Sequence, residues 1–143
     1  MLKILSAEQI RAVDQFTIQR EPLASIDLME RAADAICKCI CGYIKSRPAS
    51  TWLIFCGYGN NGGDGLALAR MLHENSEPVT VYYLADKANY STDFKTNLER
   101  LKNYPLIGVY KIKSEKDFPA IASDAVIVDA LFGSGLNRTL EVA

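Results

Sequence analysis

The sequence feature that most constrains the fold is a glycine-rich segment, residues 57–65, which reads Gly-Tyr-Gly-Asn-Asn-Gly-Gly-Asp-Gly. The apolar run 51–56 before it predicts a buried strand, and the mainly apolar run 66–72 after it predicts a helix. A glycine-rich turn between a strand and a helix exposes backbone N–H groups at the helix N-terminus, where anions such as phosphate bind. Because the glycines lack a Cβ, we also expect another backbone or a ligand to approach closely.

Two helices are predicted before this segment. The first runs to about Arg20 and starts at a capping box, in which Ser6 is the cap and Gln9 reaches back to it. Ser25 is the candidate cap of a second, longer helix, whose apolar spacing stops before Arg47. We expect these helices to form an N-terminal extension that covers the sheet or a partner.

After the glycine-rich segment the chain alternates helices and strands. Ser91 or Thr92 is the candidate cap of one helix, and Pro119 interrupts a poor helix over residues 114–122. Strands are expected at residues 51–56, 79–84, 109–112 and 125–131. This alternation predicts an α/β fold with a parallel sheet and right-handed crossovers. Because no helix closes the last strand, we expect the domain over residues 1–143 to be incomplete.

Composition excludes several classes of protein. The chain has 143 residues, of which 49% are apolar and 23% charged, as is usual for one globular domain. A net charge of −1 gives no electrostatic case for nucleic acid, and no apolar run approaches the roughly 18 residues of a membrane-spanning helix. We therefore predict a cytoplasmic protein without nucleic-acid or membrane partners. The cysteines lack metal or redox spacing, and His73 is expected to be solvated or to cap its helix.

A second glycine turn, residues 132–136, follows the last predicted strand. Ligands of open α/β sheets bind beyond the carboxyl ends of the strands, so both glycine segments are expected to line one crevice. Asp129 ends its apolar strand, where a carboxylate is costly unless it is paired, hydrogen-bonded or facing a ligand. Oxygen atoms of Asn61 and Asp129 could hold a hard cation. Arg138 is either a phosphate clamp or a solvated side chain.

A nicotinamide dehydrogenase is one alternative. A literal Gly-x-Gly-x-x-Gly pattern starts at Gly57, and Asp86 follows where a ribose-binding carboxylate belongs. Against it, we expect Asp64 in the first helical turn, where its charge would repel a phosphate, and no acid or base for hydride transfer is evident. Asp64 could instead satisfy free N–H groups of the helix, and Asn60 and Asn61 could be left-handed turn residues.

The motifs resemble those of one known family. Residues 57–65 resemble the Gly-x-Gly-Asn-Asn-Gly-Gly-Asp-Gly signature of the YjeF N-terminal domain, the NAD(P)H-hydrate epimerases. Residues 128–136 resemble the second signature of that family, with Ser134 in place of the usual Thr, and residues 6–9 and 28–32 resemble its two-helix opening. The resemblance implies a Rossmann-like three-layer α/β/α fold with a mainly parallel sheet, usually as a homodimer.

The resemblance also implies an activity and a site. It implies an isomerase that interconverts the R and S epimers of hydrated NADH and NADPH (NADHX and NADPHX), with a fused or separate ATP- or ADP-dependent dehydratase as partner. Asn61 and Asp129 are implied as ligands of a potassium ion. The implied substrate-binding residues are Asn60, Asn61, Gly62, Gly63, Asp64, Gly133, Ser134, Gly135, Leu136, Asn137, Arg138 and Thr139.

The family pattern continues after residue 143 with a strand that brings an acidic catalytic residue and further potassium ligands. The resemblance therefore implies that this chain is the N-terminal part of an epimerase domain and that its catalytic residue lies outside it. A non-catalytic scaffold of the same fold, which binds a ligand or a protein, is a second alternative. The intact Asn-Asn-Gly-Gly-Asp residues argue against a scaffold, because a lost activity would not require their polar side chains.

Overall fold

The computed structural model describes residues 4–44, 51–85 and 90–133. In chain order its elements are α1 (Ala7–Arg20), α2 (Ser25–Ile44), β1 (Trp52–Cys56), α3 (Asn60–Glu74), β2 (Val79–Leu84), α4 (Thr92–Leu101), β3 (Gly108–Ile112), a short 3-10 helix (Glu115–Asp117) and β4 (Val126–Ala130). The strands form one parallel sheet in the order β3-β2-β1-β4, so the predicted α/β class is confirmed. In these ranges no helix combines the length and the apolar content needed to cross a membrane.

Helical segments lie on both sides of the sheet. α3 connects β1 to β2 and α4 connects β2 to β3, both in the same direction, so right-handed crossovers place the two helices on one face. The main apolar core lies beneath them and includes Ile54, Val81 and Phe94. The return from β3 to β4 crosses the other face, where the ring of Phe118 stacks on that of Phe55 with centroids 5.9 Å apart. These layers agree with the predicted α/β/α arrangement.

The N-terminal helices do not cover the sheet, which was one of the two positions predicted for them. α2 packs instead on α3 and α4, with Met29, Ala33 and Cys37 buried. α1 starts at the predicted capping box: the Ser6 N–H donates to Gln9 Oε1 at 2.8 Å, and the Gln9 N–H donates to Ser6 Oγ at 3.2 Å. The extension therefore forms a further helical layer rather than a cover for the sheet.

Ser25 does not cap α2, so that prediction is wrong. Ser25 is already helical, and its hydroxyl donates to Asp93 Oδ2 at 2.6 Å. Ser91 caps α4, because its Oγ accepts the Phe94 N–H at 3.2 Å. The Ser25–Asp93 hydrogen bond thus joins the start of α2 to the first turn of α4.

The helix predicted over residues 114–122 is wrong except for a single turn. Only Glu115–Asp117 are helical. Phe118 has extended backbone (φ −72°, ψ 134°), because the residue before a proline is sterically kept out of the helical conformation. Pro119 therefore ends the helix after one turn.

Two of the cysteines are buried like small apolar side chains, and the histidine lies near the end of its helix. All four cysteines are free, and Cys37 and Cys56 are buried. Burial raises the pKa of Cys56 to about 12, so this thiol stays neutral and unreactive. His73 lies in the last turn of α3, away from the glycine-rich segment, with its ring edge-on to Tyr104.

Glu30 of α2 joins the three helices above the sheet, because its carboxylate binds Arg70 of α3 and Arg100 of α4. Only 24% of its side chain is exposed.

We predict that Glu30→Gln lowers the free energy of unfolding by about 1–3 kcal/mol, since charge-assisted bonds to partly buried guanidinium groups are lost. Urea unfolding measures this loss. Glu99→Gln, which breaks an exposed pair with Lys102, is the control and should cost less than about 0.5 kcal/mol. Equal losses in the two variants would contradict the prediction.

Candidate functional site

The turn at the glycine-rich segment is shorter than predicted. The helix predicted at residues 66–72 is confirmed, but α3 already begins at Asn60, so only residues 57–59 form the turn. Gly59 is the N-cap residue and makes no side-chain capping hydrogen bond to α3. The N–H groups of the first turn are therefore available at the carboxyl end of β1, where an anion can bind.

The glycines serve close packing rather than unusual backbone conformation, since none of those in the described ranges has a positive φ. A Cβ on Gly57 would lie 1.9 Å from the carbonyl oxygen of Leu131, and one on Gly62 would lie 2.0 Å from that of Gly57. The Gly57 N–H also donates to the carbonyl oxygen of Ala130 at 3.0 Å. The predicted close approach is thus confirmed at both glycines, where the approaching group is backbone. By contrast, a Cβ on Gly59 would meet nothing within 4 Å.

The segments after β1 and β4 meet at the carboxyl edge of the sheet, as predicted. β1 and β4 are neighbours, with Cys56 opposite Ala130. Beyond the strands, a Cβ on Gly133 would lie 3.1 Å from Cβ of Asn61 and 3.3 Å from its Oδ1. The Asn61 side chain therefore lies directly against the second glycine segment.

A cleft of about 510 Å³, which we call the loop cleft, opens between these two segments and α1. Four predicted substrate-binding residues line it, together with two aromatic side chains. They are Asn60, Asn61, Asp64 and Gly133, with Tyr58 and Phe132. Apolar and aromatic walls with a few convergent polar groups are typical of small-molecule sites.

α1 supplies lining residues that were not recognised from the sequence. Arg11 and Asp14 line the loop cleft and also a second cleft of about 420 Å³ between α1, α2 and α3, which we call the α1 cleft. Asn60 and Asp64 are shared by both clefts as well. The i, i+3 spacing of Arg11 and Asp14 puts them on one helix face, a signal that the sequence contains. What that face meets depends on how α1 docks, which local spacing does not determine.

Asp64 lies in the second turn of α3 rather than the first, because the helix starts at Asn60. The expectation that it repels a phosphate from the first turn, or caps free N–H groups there, is therefore wrong. Burial, followed by the negative charges of Asp14 and Asp93, raises the pKa of Asp64 from 3.8 to about 6. A carboxyl group with such a pKa can both give and take a proton near neutral pH.

Asp129 is exposed and lines neither cleft. It lies opposite Phe55 in the sheet, and its Oδ1 accepts the Leu131 N–H at 2.9 Å. Asn61 and Asp129 both offer the oxygen atoms that hard cations prefer, but such an ion takes about six to eight of them. Within the part of the chain that the structure describes, no group of three or more His, Cys, Asp or Glu side chains could hold a metal ion. The potassium site therefore stays a prediction.

The remaining predicted residues fall into two groups. Gly62 and Gly63 are buried in α3, and the Gly63 carbonyl oxygen accepts a hydrogen bond from Asn97 Nδ2 at 3.2 Å. The others lie outside the described residues, as does Asp86 of the dehydrogenase alternative. These are Ser134, Gly135, Leu136, Asn137, Arg138 and Thr139.

Residues 25–143 match the family described as YjeF-related protein N-terminus. The chain belongs to this family. It is 37% identical over 140 residues to an NAD(P)H-hydrate epimerase of Limosilactobacillus fermentum, and this alignment covers 97% of this chain and 63% of that protein. It is 39% identical over 136 residues to a protein of the same name from Oenococcus oeni, and this alignment covers 94% of this chain and 60% of that protein. The chain thus spans less than two thirds of the length of these relatives.

The fold of this YjeF-related chain is also found in a solved structure. The crystal structure of yeast ynu0 matches with a TM-score of 0.80, over 98% of this chain and 60% of that chain. At 23% identity, this likeness supports the fold alone. The family match includes both glycine segments and begins after α1.

Proposed function

We propose that the protein interconverts the R and S epimers of hydrated NADH and NADPH. The observation that carries this proposal is the loop cleft, where Asn60, Asn61 and Asp64 face the glycine segment that follows β4. The name shared by the curated relatives, NAD(P)H-hydrate epimerase, supports it. Tyr58 and Phe132 in the same cleft offer aromatic surfaces for a nicotinamide ring.

The reaction inverts one carbon, C6 of the reduced nicotinamide ring, which carries the added hydroxyl. The C6–O bond breaks, the hydroxyl takes up a proton and leaves as water, and the lone pair of the ring nitrogen forms a C=N double bond. C6 is then the planar carbon of an iminium cation. Water adds to its opposite face, the C–O bond forms again, and loss of one proton gives the other epimer. Protons and electrons balance over the cycle, so no oxidant or reductant is needed.

We assign the proton transfer to Asp64, because its side chain lines both clefts. Its pKa of about 6 leaves part of the population protonated near neutral pH, which suits a general acid. The neutral carboxyl gives its proton to the leaving hydroxyl, and the carboxylate takes one back from the water that adds. The acidic residue that the family resemblance implies beyond residue 143 is the other candidate for this proton.

The diphosphate of the substrate would bind the second glycine segment, from Gly133 to Thr139, with Arg138 as a clamp. The uncapped N-terminus of α3 supports an anion at the same edge of the sheet. Asn61 and Asp129 would hold the potassium ion, which would supply positive charge beside the phosphates.

Asp129→Asn is predicted to remove the extra thermal stability that potassium gives. We expect the Tm of the wild type to be about 2–4 °C higher in potassium chloride than in sodium chloride of equal concentration, because a bound ion stabilises the folded state. Differential scanning calorimetry measures this difference, and Asp124→Asn, an exposed carboxylate before β4, should retain it. A potassium effect that persists in Asp129→Asn would remove Asp129 from the ion site.

The proposed partners are a second copy of the chain and a dehydratase. Exposed apolar side chains on the outer side of α1 support a homodimer: Val13 is 50% and Phe16 58% exposed. An ATP- or ADP-dependent dehydratase, fused or separate, would consume the S epimer that the reaction supplies.

Calorimetric titration separates the proposed function from its alternatives. We expect the full-length protein to bind NADPHX more tightly than NADPH, because only the hydrated ring carries the hydroxyl on which the polar residues of the cleft act. A dehydrogenase would prefer NADPH. A scaffold would bind neither ligand, and either result would overturn the proposal.

A further inference from the structure

α1 holds its position without contributing to the core. None of its described side chains is buried, whereas a helix in a protein is normally held by burying an apolar face. The segment that matches the family begins after it. Beside the glycine-rich segment, α1 presents the apolar Ile10 and two charged side chains, Arg11 and Asp14. Core packing therefore does not explain why Arg11 and Asp14 are present on α1. Their position in the two clefts does.

The two clefts share four residues, Arg11 and Asp14 from α1 and Asn60 and Asp64 from α3. Asp14 and Asp64 thus face the same space from two different helices. The effect of the Asp14 charge on the Asp64 carboxyl is further evidence that they are close. The third carboxylate near Asp64, that of Asp93, is buried and accepts a hydrogen bond from a serine hydroxyl of α2.

We propose that Asp14 is a residue of the substrate site and that its carboxylate stabilises the positive charge that develops on the nicotinamide ring as hydroxyl leaves C6. This inference rests on the proposed function. Asp64 handles the proton, and Asp14 acts on the charge. A carboxylate that is already in place when the cation forms stabilises the transition state more than the neutral substrate, and so it raises the rate.

The location of Asp14 makes α1 one wall of the site. The loop cleft has the glycine segments on one side and the Arg11–Asp14 face of α1 on the other. Arg11 places a positive charge on the same helix face, and this charge offsets part of the repulsion between the neighbouring carboxylates. A ring bound between these walls would lie close to the aromatic and amide groups of one wall. It would also lie close to the Asp14 carboxylate of the other.

The test compares Asp14→Asn with Glu8→Gln, which also removes one negative charge from α1. Glu8 is exposed in the first turn and lines neither cleft. The full-length protein is assayed for conversion of R-NADPHX to the S epimer, and each variant is melted by circular dichroism. We expect Asp14→Asn to lower kcat about 30- to 300-fold with KM changed less than about threefold. Glu8→Gln should leave kcat, KM and Tm near the wild-type values.

The outcomes separate this inference from the proposed function. If the wild type converts the substrate and Asp14→Asn has normal kcat, Asp14 has no such role and the proposed function stands. If Glu8→Gln loses as much rate as Asp14→Asn, the charge of the helix is responsible and the inference is overturned. Should Asp14→Asn not fold, Asp14→Glu decides: a lower kcat than that of Glu8→Gln supports the role, and an equal kcat overturns it. A wild type that converts nothing overturns both proposals.

Discussion

Asp64→Asn is expected to lower the rate of epimerisation at least about 100-fold, the usual contribution of a general acid. The same change should make the folded protein more stable near neutral pH. Asn keeps the size of the side chain but can neither give a proton nor carry a charge into the half-buried space beside Asp14 and Asp93. Loss of activity with a gain of stability is typical of a residue retained for chemistry.

The pH dependence of that stability gain follows from the raised pKa. Between 3.8 and about 6 the folded protein holds the Asp64 proton more tightly than the unfolded chain, so its stability falls as pH rises through this window. Well below pH 3.8 the group is protonated in both states and Asn gains nothing, and at pH 4 only a small part of the gain is present. Above about pH 6 we expect a gain of about 1–2 kcal/mol, a value reduced because the carboxyl is partly exposed to water.

Urea unfolding of Asp64→Asn at pH 4 and at pH 8 measures this gain, and turnover of R-NADPHX measures the rate. Asp124→Asn is the control for both, since Asp124 is exposed and lines neither cleft. Normal turnover in Asp64→Asn would assign the proton to another group. Lower stability at pH 8 would make Asp64 a structural anchor of α3.

Gly62→Ala is expected to have the largest effect on stability, a loss of about 3 kcal/mol or more. Its Cβ would lie 2.0 Å from the carbonyl oxygen of Gly57, and neither helix nor turn can move without disturbing the other. Gly42→Ala is the matched control, because a Cβ on this exposed helical glycine of α2 meets nothing within 4 Å. It should raise stability by about 0.5–1 kcal/mol.

Urea unfolding compares these two alanine variants. Failure of Gly62→Ala to fold, while Gly42→Ala folds, also supports the role of Gly62 in packing. A Gly62→Ala variant as stable as the wild type would show that the turn adjusts easily. The glycines would then be present for a ligand rather than for the backbone.

The sequence predicted correctly those elements that depend only on residues close together in the chain. The Ser6–Gln9 capping box, the Ser91 cap and the strand from Val79 to Leu84 lie where the sequence places them. The meeting of the two glycine segments could also be predicted, because the carboxyl ends of parallel strands share one edge of the sheet. These features depend on spacing and on topology, which the chain displays directly.

The start of α3 and the contribution of α1 could not be predicted in this way. Glycine and asparagine are poor helix formers, so residues 60–65 favour a loop by local propensity. Packing of Gly62 on Gly57 and of Gly63 on Met29 makes the helix start earlier. Likewise, serine is a common N-cap residue, but the Ser25 hydroxyl donates its hydrogen bond to the Asp93 carboxylate of α4 instead. In each case a tertiary contact decides what the local sequence leaves open.

The most direct test of the proposed function is the epimerisation itself. Pure R-NADPHX is incubated with the full-length protein, and the two epimers are separated by chromatography over time. We predict that the R form reaches its equilibrium with the S form much faster than without protein, with no NADP+ produced. Conversion no faster than the spontaneous rate, or oxidation to NADP+ instead of epimerisation, would contradict the proposed function.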